Sequence, residues 1–171
     1  MLWQYILTIA SAVMFFGFVG VCIYIYGLKT CYSAYGPCWA KTPPYSFVYN
    51  PWIVVTVFTA MMLVPVTIEL ADGNPWQFAG FLCPALLLFV GLTPDYGRKK
   101  MAGIVHSVCA GLAALLSVVY ILCVFPQLWW LLVIYVAAAA IATVISGKDY
   151  WCLWFELAAY LGIYTTVLLM I

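Results

Sequence analysis

Two side chains stand where a hydrocarbon environment makes them costly: His106, the one histidine of the chain, and Glu156. Both fall inside long apolar runs, where ionisable groups are rare and usually face a bundle interior or a wet cavity. An imidazole changes charge near neutral pH. A carboxylate beside it can hold it as an ion pair, hydrogen-bond its neutral form, or exchange a proton with it. Each residue also heads a stripe. His106, Cys109, Ala110, Ala113, Ser117 and Tyr120 follow the spacing of one helix face, and Asp149, Cys152, Glu156 and Tyr160 do the same further along. If the two stripes face each other, His106 and Glu156 meet. This pattern nominates His106, Glu156, Tyr160, Cys109 and Ser117 as binding residues. Glu69, which lies within an apolar run just before Asp72 in ELADGNPW, is added as an acidic group able to attract cations at the opposite end. The Asp72-Gly73-Asn74-Pro75 run itself is turn chemistry, so a solvated helix end is the plainer account of that segment.

Other chemistry lacks parts. His106-x-x-Cys109 puts two ligands on one face, but zinc takes three or four protein ligands and no second histidine exists. No metal site and no cofactor are expected. A triad built on Ser107 or Ser117 has no G-x-S-x-G context, so no catalytic residue is assigned. The spacing of the cysteines contains no C-x-x-C redox pair.

The elements that must carry these residues are membrane helices. Hydrophobic residues make up 68% of the 171 residues and charged residues 6%; a soluble domain carries about 25% charged residues. So few charges cannot solvate the surface of a globule of this size, and lipid must be the solvent for most of it. A span needs about 20 mostly apolar residues. Stretches of that kind run from about residues 3–27, 51–70, 76–92, 101–125, 128–145 and 150–171. The chain is therefore read as an all-α integral membrane protein, a single polytopic domain over 1–171 with about six transmembrane helices in one bundle. A β-barrel would show shorter strands of alternating polarity. Helices also satisfy their own backbone groups in lipid. The first run lacks the basic n-region of a signal peptide and is read as a retained helix. The net charge of +1, with no basic stripe, excludes a nucleic-acid partner.

The six basic residues, Lys29, Lys41, Arg98, Lys99, Lys100 and Lys148, all fall in the first, third and fifth connections. The positive-inside rule puts those connections in the cytoplasm and both termini outside, in a cell (inner) membrane. His106 and Glu156 then lie at similar depth below the cytoplasmic face. Cys31 and Cys38 would face a reducing compartment as thiols; an inverted chain would make them disulfide candidates. The first connection, residues 28–50, is crowded with aromatics: Tyr32, Tyr35, Trp39, Tyr45, Phe47 and Tyr49. Such a segment belongs either in the headgroup interface or folded over the bundle mouth as a lid above His106 and Glu156.

Small-residue ridges, Gly103-Ser107-Gly111-Ala114 and Ala138-Ala142-Ser146, can bring helices close, within the chain or in a homo-oligomer. Pro65 and Pro84 each remove a backbone hydrogen bond inside a span. The segment WAKTPPYSFVYNPW, Trp39 to Trp52, resembles the aromatic loop between the first two helices of the tryptophan-rich sensory and translocator proteins. The resemblance is confined to that segment, and the porphyrin or sterol binding of that family is not carried over. Apart from the bilayer, no partner or substrate is legible. The leading expectation is a small transporter or channel subunit for a solute or ion, with its polar site near the cytoplasmic face. A non-catalytic membrane interaction or assembly protein and an intramembrane enzyme acting on a lipid or quinone are the alternatives.

Overall fold

The computed structural model describes residues 2–42, 44, 50–93 and 100–171. Among these, all regular structure is helical: α1 (Leu2–Tyr26), α2 (Tyr35–Ala40), α3 (Pro51–Leu70), α4 (Gln77–Gly91), α5 (Lys100–Val124), α6 (Trp129–Ser146) and α7 (Trp151–Met170), with 3-10 turns before α2, α6 and α7. Five of the helices are long and apolar enough to cross a membrane. The third expected span is the exception. α4 has 15 residues, or about 23 Å at 1.5 Å per residue, against a hydrocarbon core of about 30 Å. The reason is local: the polar turn runs on through Trp76, and Asn74 Oδ1 accepts a hydrogen bond from the Trp76 backbone N–H (2.8 Å) before the helix starts. Of the sequence features above, Tyr45, Phe47, Tyr49, Arg98 and Lys99 lie outside the described residues.

The outward faces are apolar. Tyr24, Val144 and Ile145 are almost fully exposed, and each long helix carries further large apolar side chains that are about half exposed. An exposed apolar surface this extensive suits lipid and not water. Inside, α3 packs on α1 and α4, α4 on α5, and α6 on α7, with α7 also touching α1, α3 and α5.

Polar side chains tie the bundle together. On α1 the buried positions Gln4, Thr8, Ser11, Phe15, Val19 and Cys22 form one helical stripe, polar at its N-terminal half and apolar beyond. Ser11 donates to the Thr59 carbonyl on α3 (3.0 Å) and shares a 2.6 Å hydrogen bond with Tyr164 on α7. A hydroxyl in a low-dielectric interior needs such a partner.

Neither proline ends its helix. Both α3 and α4 continue through Pro65 and Pro84 as single helices. Pro84 has no N–H to offer the carbonyl four residues back, that of Gly80. Thr67 on α3 takes the place of that donor, its hydroxyl reaching Gly80 O at 2.5 Å. Tyr120 on α5 then donates to the Thr67 carbonyl (2.9 Å), which lies at the fraying end of α3. Gly80 is needed for this closeness: a Cβ there would sit 2.7 Å from Thr67 O and 2.8 Å from the Tyr120 ring.

The two small-residue ridges noted in the sequence are not where the helices meet most closely. Ser107, Gly111 and Ala114 are exposed on α5, and a Cβ at Gly111 would meet no atom within 4 Å. Ala138 is exposed on α6 as well.

Candidate functional site

The first connection is folded into one end of the bundle. Asn50 caps α3, accepting from the Trp52 N–H (3.0 Å), while its amide donates to the Gly36 carbonyl in α2 (2.6 Å). Gly36 lies against the Trp52 indole, so close that a Cβ would be 3.2 Å from the ring. Tyr32, Ser33, Tyr35 and Trp39 are all buried. Burial pushes the Tyr35 phenol up to about 12 and raises the Tyr32 phenol well beyond its ordinary range, so both are neutral donors. Tyr35 donates to the Gly27 carbonyl (3.0 Å), and Tyr32 shares a hydrogen bond with Thr56 on α3 (3.0 Å). Of the two arrangements open to this aromatic segment, the lid geometry is the one its described residues adopt.

The lid also joins the two ionisable residues. Ser33 Oγ lies 2.7 Å from His106 Nε2, and the Tyr32 backbone N–H donates to Glu156 Oε2 (2.6 Å). The other imidazole nitrogen is 3.2 Å from the Thr93 hydroxyl, and the Trp52 ring stacks over the imidazole at 6.4 Å. The direct His106–Glu156 pair expected from the facing stripes is thus replaced by a bridge through adjacent residues of the lid. The physical reason is that one dipeptide can satisfy both groups at once: its N–H suits a carboxylate and its hydroxyl suits either tautomer of an imidazole.

Beneath Tyr32, Ser33 and Glu156 a cavity runs between α3, α4, α5 and α7. About 90 Å³ of it is open to the centres of water-sized molecules. Along α5 it extends from Ala110 to Tyr120, about 15 Å at helical rise. Small residues make part of the wall, Gly80, Pro84, Ala110, Ala113, Ala114 and Ala159, and larger apolar ones such as Leu63, Leu87 and Ile163 complete it. Ala114 is exposed, so the wall reaches the flank of α5 that lipid would cover. Polar groups gather at the ends, with Ser33 and Glu156 under the lid and the Thr67–Gly80–Tyr120 cluster at the other end.

The nominated residues do not all assemble here. Glu156, Tyr160 and Ser117 line the cavity. Tyr160 stacks on Phe15 at 3.9 Å, and Ser117 turns its hydroxyl back to the Ala114 carbonyl (2.7 Å). His106 sits one turn beyond the wall and touches it through Ser33. Cys109, half-buried, packs against the core without lining the cavity. Glu69 is exposed at the C-terminal end of α3, apart from the site.

Sequence reasoning missed Ser33, Thr67, Gly80 and Cys83, which donates to the Ala113 carbonyl (3.4 Å). Only Gly80-x-x-x-Pro84 carried a readable signal, since a proline always frees the carbonyl four positions earlier. Also unforeseen is the neighbour of Cys31. Its thiol lies by Cys152 and Glu156, whereas Cys38 donates to the Ala34 carbonyl (3.3 Å). Comparison with protein-family models, curated proteins and solved structures finds no match for this chain.

Proposed function

We propose that this polytopic membrane protein binds a small, largely apolar solute with one polar end, taken from the bilayer, and carries it across or along the membrane. The polar end sits at Ser33 and Glu156 under the lid, and the apolar part lies along the alanine-lined wall. The observation that carries this reading is the make-up of the cavity: Ser33 and Glu156 at one end, Thr67 and Tyr120 at the other, and a mainly apolar wall that includes Leu63, Leu87, Ala110, Ala113 and Ile163. A hydrated ion would find few groups on that wall to replace its water, and ion pathways need closely spaced carbonyls or charged rings. An amphiphile fits it instead, as ligand sites are mostly apolar with a few placed polar groups. In this reading α4 completes a sixth, short crossing, and the lid end, which carries Lys29, Lys41, Lys100 and Lys148, faces the cytoplasm.

The test fills the cavity. Ala113, buried in the wall, is replaced by Leu, and Glu156 by Gln. Wild-type protein is extracted with solvent and its bound small molecules identified by mass spectrometry. Flux of the identified amphiphile is then measured in proteoliposomes. Both substitutions should lower occupancy and flux while expression is kept. Equal occupancy and flux in Ala113→Leu and wild type would exclude the cavity as the binding site.

A second reading, association with another copy, rests on the outward ridge of α5, where Gly111 is uncovered. Cysteine placed at Gly111 should then crosslink between copies in native membranes. A monomer after oxidation speaks against it.

A further inference from the structure

A second cluster shares Glu156 with the cavity wall, but its two thiols line a different cleft. Cys152 and Glu156 are four residues apart on α7, hence on one helix face. Cys31 comes to them from the first connection. The two Sγ atoms and a Glu156 carboxylate oxygen all lie within 4.8 Å of one another. A tetrahedral zinc site with metal–sulfur bonds of about 2.3 Å spaces its ligand atoms roughly 3.5 Å apart. The three groups therefore need to close by only about 1 Å, a shift within reach of side-chain rotation.

Their arrangement is imposed by the backbone on both sides of Cys31. The Thr30 carbonyl accepts from the Leu153 N–H (3.0 Å), and the Tyr32 N–H donates to Glu156 (2.6 Å). Cys31 itself is extended, at φ −154° and ψ 164°. Two clamps to α7 thus hold this one residue over Cys152 and Glu156. An open cleft bounded by Lys29, Thr30, Lys148, Asp149 and Cys152 leads to the thiols from outside.

We propose that Cys31, Cys152 and Glu156 form a binding site for a thiophilic divalent cation of the zinc class, with the fourth position open to the cleft. Two thiolates and a carboxylate around such a cation leave one net negative charge, which Lys29 and Lys148 at the cleft wall offset. Asp149, on the same wall, is within the cleft through which the cation enters. Thiolate ligands select zinc over magnesium or calcium, which prefer oxygen donors. The bound cation would fasten the lid to α7.

The full-length protein, purified in detergent and kept reduced with a phosphine, is titrated with Co²⁺ alone. About one equivalent should bind, with a near-ultraviolet thiolate-to-cobalt band that Zn²⁺ abolishes. Loss of an outer-shell partner costs up to about 100-fold in affinity, so Cys31→Ser and Cys152→Ser should each weaken binding by at least that much. Cys109→Ser should leave it unchanged. In parallel, wild-type protein is alkylated with and without Cd²⁺ and the labelled cysteines mapped by mass spectrometry; this arm needs no variant to fold. Protection confined to Cys31 and Cys152 supports the site. Absence of the cobalt band, full-strength binding in Cys31→Ser, or labelling of Cys31 and Cys152 as fast with Cd²⁺ as without overturns it. Glu156 is common to both sites but neither thiol lines the cavity, so Cys31→Ser and Cys152→Ser test the cation site, Ala113→Leu tests the cavity, and either can fail without the other.

Discussion

Replacing Gly80 by alanine puts a methyl group into the closest helix contact made by any described glycine. The new Cβ would lie 2.7 Å from the Thr67 carbonyl oxygen and 2.8 Å from the Tyr120 ring. The ring can swing aside, but the carbonyl belongs to the α3 backbone, so α3 and α4 must separate by about half an ångström to reach ordinary contact. Overpacking of this kind costs about 1–3 kcal/mol. The same separation stretches the Thr67–Gly80 and Tyr120–Thr67 hydrogen bonds, each worth about 0.6 kcal/mol in a membrane protein. Alanine returns up to about 1 kcal/mol of helix propensity. The net expected loss is about 1–3 kcal/mol. Gly111→Ala is the matched control, because a Cβ there meets nothing within 4 Å; it should be neutral or slightly stabilising. Reversible unfolding in mixed detergent–SDS micelles, followed by helix signal, measures both. If Gly80→Ala unfolds at the same SDS fraction as Gly111→Ala, the close α3–α4 contact is wrong, and with it the far end of the cavity.

Further outcomes follow from particular bonds. Pro84→Ala restores an N–H for the Gly80 carbonyl, so Thr67→Val should cost about 0.5–1 kcal/mol less in that background than in wild type, read by the same unfolding assay as a double-mutant cycle. Additive costs would mean that Thr67 does not substitute for the missing donor. Glu156→Gln keeps an acceptor for the Tyr32 N–H whereas Glu156→Leu does not. Hydrogen exchange across residues 31–40 should therefore rise at least about tenfold in the leucine variant and stay near wild type in the glutamine one; equal protection in both would refute the clamp. Ser33→Ala and His106→Ala should show a coupling of about 0.5–1 kcal/mol, since either change removes the same bond. A fluorescent reporter fused after Ile171 should stay dark in the cytoplasm if the basic connections lie inside, and a bright one would reverse the orientation.

Much of the site's placement was readable before any coordinates. His106 and Glu156 are buried or half-buried at the same end of the bundle, as their positions near the starts of two apolar runs implied. The bridge that stands in place of their direct contact was not legible, because it comes from a loop. The spacing rule that finds a helix face says nothing about a dipeptide from another connection, whose N–H and hydroxyl are common to most sequences. Likewise, the stripes named Ser117 and Tyr160, which line the cavity, but Thr67, which also lines it, looked like any threonine in a span. Glu69 was nominated for its charge inside an apolar run, yet α3 ends one residue later and leaves it exposed.

By itself the sequence determined solvent and secondary structure. Apolar runs of about 20 residues with hardly any charge have one stable state in lipid, the helix, since each must pair its own backbone groups. Proline and the position of the lysines are local facts as well, and they were legible for the same reason. Which faces meet is not a local fact. In lipid no hydrophobic difference sorts one apolar face from another, so pairing rests on a few close contacts such as Gly80 on Thr67, and on polar bridges such as Ser33 to His106. Only the tertiary structure could choose the Tyr32–Ser33 lid as the joint between α5 and α7. Only it could bring Cys31 across most of the chain length to Cys152 and Glu156, a ligand set that no spacing in the sequence announces.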